Sequence, residues 1–235
     1  MAHQVMEEVV RLTGEQLPGI PVEVTIGDTE LDMSAEELVK AATGWNERGI
    51  RRKQRDPLPE EICYRRALYI CRVLLKRDPT HVSALFEYGR ALGRLSLISN
   101  NPLQKALLAR RSKRIFEKTI QLNQDYAHAH YALGMWHLYM PPWMGGSKQT
   151  AISEYTKSVQ LDPTEIFLYM GLANCQLKLG LIEEAANSYL QVVNLESKRP
   201  EDLRRKLEAA SCLLRIDYHF ESRLDLSCLN GSQKS

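Results

Sequence analysis

The stretch "YMGLANCQLKLGLIEEAANSYLQVV" (169–193) sets the reading of the whole chain. Gly180 divides it into two segments of helical character, and glycine just past a periodic run is a common helix terminator. The first segment holds the close pair Leu172-Ala173. The second holds a small residue, Ala185, followed four positions later by a bulky one, Tyr189. A spacing of four puts both side chains on one face of a helix, so a small residue admits a neighbouring helix and the bulky one packs against it.

The second segment recurs elsewhere in the chain. "RALYICRVLLKRDP" (66–79), "SKRIFEKTIQLNQ" (112–124) and "AISEYTKSVQLDP" (151–163) repeat the small-then-bulky pair as Ala67 and Cys71, Ser112 and Phe116, and Ala151 and Tyr155. The first segment recurs as Tyr88-Gly89 in "FEYGRALGRLS" (86–96) and Leu133-Gly134 in "HYALGMWHL" (130–138). Gly89, Gly134 and Ala173 each lie ten residues beyond the end of the preceding unit, at Pro79, Gln124 and Pro163. One offset found three times marks a register.

This pattern resembles the tetratricopeptide repeat (TPR), a ~34-residue helix pair with an L-G pair on helix A and an A-x3-F pair, then proline, on helix B. An earlier unit fits as well, with "ELVKAATGWNERG" (37–49) as helix A and 60–77 as helix B. The resemblance implies an all-α, right-handed superhelical solenoid of three to four helix pairs with extended A–B turns. Residues 1–33 read as an N-terminal extension, 34–199 as the solenoid, 200–216 as a C-terminal capping helix and 217–235 as a polar tail. Within the extension, "VEVTI" (22–26) has strand character, and "SAEE" (34–37) forms a helix-opening capping box. The capping helix carries Leu203, Leu207, Ala210 and Leu214 on one face, suited to covering the last apolar surface of a solenoid.

The units depart from a regular repeat at one place. From the helix A glycine or alanine to the helix B small residue is 12 residues in the third unit, 17 in the second (Gly134 to Ala151) and 23 in the first (Gly89 to Ser112). Gly49 to Ala67 likewise exceeds the Gly180-to-Ala185 turn. The A–B turns therefore carry insertions, "MPPWMGG" (140–146) among them. The stretch "ALGMWHLYMPPW" with the regular repeat after it is similar to the regulators of microtubule dynamics. "GGSKQTAISEYTKSVQLDP" is similar to the repeat proteins that partner bacterial TRAP transporters.

Composition is that of an ordinary globular chain. Of 235 residues 44% are hydrophobic and 26% charged, and the net charge of +2 argues against a dedicated nucleic-acid binder. Five cysteines without a C-x-x-C pair read as free thiols of a reducing compartment. No apolar run approaches the ~20 residues of a membrane span, and "MAHQVMEEVVRL" has early acids where a secretory signal has none. The chain reads as cytoplasmic.

No catalytic signature is found. G-x-S-x-G and H-E-x-x-H are absent, and "GRALG" lacks the lysine of a phosphate loop. His130 and His137 share a helix face but fall at packing positions, so they read as packed histidines and not as metal ligands. The reading is a non-enzymatic scaffold with no cofactor.

The resemblance places the concave groove on helix A. Its lining is Phe86, Arg90 and Arg94 in the first unit, His128, Tyr131, Met135 and Leu138 in the second, and Phe167, Met170 and Asn174 in the third. Aromatic, methionine and arginine side chains bury large areas at interfaces, which suits an apolar or amphipathic protein or peptide segment. Family members that clamp an Hsp90/Hsp70-type carboxylate tail use lysine and asparagine, where this chain has Phe86 and Arg90; such a tail is not expected. A second reading is a basic edge, with Arg51, Arg52, Lys53, Arg110, Arg111, Lys113 and Arg114 in or beside the inserted turns meeting microtubules, anionic membrane or RNA. Trp143 in "MPPWMGG" is a candidate loop contact.

Overall fold

The computed structural model describes residues 32–50 and 58–230, with side chains described as far as Ile216. Every regular element among them is helical: α1 (Ala35–Ile50), α2 (Glu60–Arg77), α3 (Val82–Ile98), α4 (Pro102–Leu122), α5 (Ala127–Tyr139), α6 (Lys148–Leu161), α7 (Ile166–Lys178), α8 (Ile182–Asn194) and α9 (Pro200–Asn230), with a 3-10 turn at Pro142–Met144. The strand expected at residues 22–26 lies outside the described residues, as do the basic residues Arg51, Arg52 and Lys53.

Local chemistry sets the helix ends. At α1 the capping box forms as the sequence dictates. Glu37 Oε2 accepts from the Ser34 backbone N–H and hydroxyl, each at 2.8 Å, while Ser34 Oγ accepts from Glu37 N–H at 3.3 Å. Asn101 accepts from the N–H groups of Leu103 and Gln104 ahead of α4, and Ser147 accepts from Thr150 N–H ahead of α6. The junctions between successive pairs share one device. The carboxylates of Asp78 and Asp162 accept from the N–H of Thr80 and Thr164, and the Asn123 amide oxygen accepts from Asp125 N–H. A short side chain bonding two residues ahead turns the chain without glycine. Gly180, with φ +78°, ends α7.

The chain divides into two compact units, Met1–Leu133 and Gly134–Ser235, with the division inside α5. In the first, α1 packs on α2 and α3, α2 on α3, and α3 on α4. The core there is Leu38, Tyr64, Leu68, Leu85, Tyr88 and Leu92 with their neighbours. Contact of a helix with the next but one, as of α1 with α3, is what stacks one helix pair on another. In the second unit α6 packs on α7, α7 on α8, and α9 on both α7 and α8. Four cysteines, Cys63, Cys71, Cys175 and Cys212, are buried as free thiols, and burial raises the pKa of Cys71 and Cys175.

The motif positions act as the repeat requires. A Cβ added to Gly89 would meet Phe116 Cε1 at 2.8 Å and Ile115 Cγ2 at 3.0 Å; one added to Gly134 would meet the Tyr155 ring at 3.0 Å. The helix A glycine thus lets the helix B aromatic lie against its backbone.

Two expectations need correcting. The long insertion between Gly89 and Ser112 does not make a loop. It lengthens both helices, so that α3 runs 17 residues and α4 runs 21, with only residues 99–101 between them. α9 also buries the face opposite to the one expected. Leu203, Leu207 and Leu214 are 61–72% exposed, while Asp202, Ala209, Cys212 and Ile216 are buried. The reason lies at the helix start. Asp202 accepts from the N–H groups of Lys198 and Arg199 and pairs with Arg205, which fixes the rotation of the first turn. The helix also runs on beyond residue 216 to Asn230.

Candidate interaction surface

In the first unit the groove positions of α3 are engaged internally. Phe86, 8% exposed, sits in an aromatic cluster with Phe116, Tyr126 and His128 at centroid separations of 5.9, 5.3 and 5.8 Å. Arg90 is held by two carboxylates, Glu47 of α1 and Glu87 of α3. Burial by itself would lower its pKa, but the two acids outweigh this and raise it above the usual arginine value. Glu87 is itself buried and accepts at 2.7 Å from the amide of the fully buried Asn46. Sequence reasoning missed this Asn46–Glu87–Arg90–Glu47 network, because nothing in the spacing says that α1 and α3 lie side by side. Arg94 is half-buried.

In the second unit the groove positions of α7 are met by the chain's own C-terminal helix. Met170, 7% exposed, packs in one cluster with Ala173, Tyr189 and the α9 residues Ala209, Cys212 and Ile216. Phe167 has the guanidinium carbons of Arg199 and Arg205 at 5.6 and 6.0 Å from its ring centroid. Arg199 also pairs with Glu165. Asn174 Oδ1 accepts from the Tyr189 hydroxyl at 2.7 Å.

The helix α5 differs. His128, Tyr131, Met135 and Leu138 recur at helical spacing, and each is half-buried, while Ala129, His130, Ala132, Leu133, Gly134 and Trp136 between them are buried. His130 Nε2 lies 3.0 Å from the Gln124 carbonyl, which places it as a packed donor. His137 stacks edge-on to Trp136 at 5.1 Å.

The loop after α5 is built and not slack. Met144 N–H donates to the Pro141 carbonyl, Gly145 N–H to Pro142, and Ser147 N–H to His137. Gly145 has φ +93°, and a Cβ on Gly146 would run into the Met140 carbonyl, so both glycines are required. The result presents the Trp143 side chain to solvent at 84% exposure.

The basic positions on α4 differ in exposure. Arg111 is buried and Lys113 pairs with Glu117 at 3.3 Å, whereas Arg110 and Arg114 are exposed.

No protein-family model and no curated protein matches the chain. Solved structures do. The thermophilic TPR protein TTC0263 of Thermus thermophilus is similar with a TM-score of 0.54 and 18% identity over 77% of this chain and 100% of that one. MamA of Desulfovibrio magneticus RS-1 gives a TM-score of 0.47 at 16% identity over 85% and 98% of the two chains. The fold is thus that of the tetratricopeptide repeat, an all-α array of helix pairs, as the Gly180-centred stretch predicts.

Proposed function

We propose that the chain is a non-enzymatic protein-interaction scaffold that holds an apolar or amphipathic partner segment against helix A residues. The TPR fold supports the general reading. The single observation behind the particular one is the half-buried face of α5, His128, Tyr131, Met135 and Leu138, set mostly among buried neighbours. Here the lining narrows from the ten positions that the resemblance implies. Phe86 and Met170 are buried, Arg90 is ion-paired within its unit, and Asn174 serves Tyr189. The anchors are then Tyr131 and Met135, flanked by Leu138. Fully burying one such side chain is worth about 1.5–3 kcal/mol, so a few anchors support micromolar affinity after ordering costs.

The test is selection of binding peptides from a displayed random library, followed by titration against Tyr131→Ala/Met135→Ala. The expected result is loss of binding with the helical circular dichroism unchanged. Selected peptides that bind the double variant as tightly as the parent chain sink this reading. The second reading, a basic edge, keeps Arg110 and Arg114 as its exposed cations.

A further inference from the structure

From the outward face of α4 we infer a second docking surface, whose occupant is an acidic amphipathic helix. The inference rests on the basic-edge reading and is independent of the α5 anchors. The face is Leu103, Leu107, Arg110 and Arg114, spaced so that all four project along one line of the helix. It lies opposite the buried side of α4, which is Leu108, Ile115, Phe116 and Thr119. Leu103 is 71% and Leu107 45% exposed, and both arginines are exposed. Neither arginine has an ion-pair partner among the described residues. Leu97, at the same end of the α3–α4 hairpin, adds apolar surface.

Two observations choose the occupant. The first is charge. Residues 102–122 hold six basic side chains and a single acid, Glu117, which is already taken by Lys113. An acidic partner is therefore favoured and a basic one repelled. The second is order along the line. Two leucines one turn apart are followed by two arginines one turn apart, over ~16 Å of helix axis. A linear segment with apolar residues at one end and carboxylates at the other matches that order. A lipid bilayer fits less well. The hairpin tip ahead of Leu103 is Ser99, Asn100 and Asn101, with Asn100 and Asn101 exposed, so a tip-first approach would bury polar groups before the leucines.

The probe is a fluorescein-labelled designed helical peptide with two leucines one turn apart followed by two glutamates one turn apart, read by fluorescence anisotropy. Controls replace the glutamates by lysines or the leucines by serines. Phosphatidylserine vesicles and a single-stranded RNA are titrated in parallel. The acidic leucine peptide should bind, weaken by about tenfold or more in Arg110→Glu/Arg114→Glu, and weaken with added salt. Leu103→Ser/Leu107→Ser should also weaken it, and the charge-reversed variant should accept the lysine peptide instead. Tyr131→Ala/Met135→Ala should bind the acidic peptide unchanged, so failure of the groove reading leaves this one standing. All four substituted side chains on α4 are exposed, and circular dichroism of each variant confirms the fold. Equal binding of the lysine peptide, indifference to Arg110→Glu/Arg114→Glu, or binding of vesicles or RNA with no peptide binding overturns the inference.

Discussion

Among single side chains, those that matter most combine a local bond with a position the fold needs. Glu37 is one. Its carboxyl is held below the ordinary value of 4.5 by the Ser34 backbone N–H and then by the Ser34 hydroxyl. A depressed folded pKa means that the capping box stabilises above the ordinary carboxylate range and that this contribution is lost as pH falls through the folded value. The carboxyl resonance of Glu37, followed by NMR through an acid titration, should titrate below the ordinary value in the parent chain and return toward it in Ser34→Ala. A midpoint unchanged by the substitution counts against the capping assignment. This feature is legible in four letters, because the capping box is local. Arg90 is not. Its helix position and its neighbour Glu87, three residues earlier on α3, are evident from the register, but its second partner, Glu47, comes from α1, and only the packing of α1 against α3 reveals that the charge is neutralised inside the unit.

Among the helices, existence is readable and rotation less so. The boundaries of α2 fall at Glu60–Arg77 as the periodicity predicts, and the regular pair α7 and α8 turns at Gly180. The face of α9 shows where apolar spacing misleads. Leu203, Leu207, Ala210 and Leu214 form the more hydrophobic line, yet the polar anchor of Asp202 on the backbone ahead of the helix turns Ala209, Cys212 and Ile216 inward. The consequence is a contrast in stability. Leu207→Ser should shift chemical unfolding by no more than about 0.5 kcal/mol, as a surface change does, whereas Ile216→Ala should cost about 2–5 kcal/mol. Equal costs in urea titrations would restore the expected face. The insertion before Ser112 makes the same point differently. Counting along the register finds the extra residues, but helix propensity in "PLQKALLARRSKR" (102–114) spends them as added turns of α4, which carries Arg110 and Arg114 on a rigid face instead of a loop.

For the molecule taken whole, the two proposed surfaces differ in physics and so in response to salt. Capture on the α5 face, through Tyr131, Met135 and Leu138, should change little between low and high ionic strength, since buried apolar area is not screened. Capture on α4 should fall steeply, since Arg110 and Arg114 are exposed charges. Binding isotherms for each class of peptide at two salt concentrations check this, and equal slopes would mean that one surface accounts for both. The order of residues is enough to specify the helix pairs, their register and the glycines at which they meet, because small-next-to-bulky spacing and capping chemistry act within a few residues of chain. Which side chains remain available to a partner was settled only by the packing of the helices. Exposure depends on what lies opposite, and the covering of Met170 by α9, the pairing of Arg90 and the outward line of Leu103 to Arg114 each follow from contacts between helices distant in sequence or from the rotation those contacts impose.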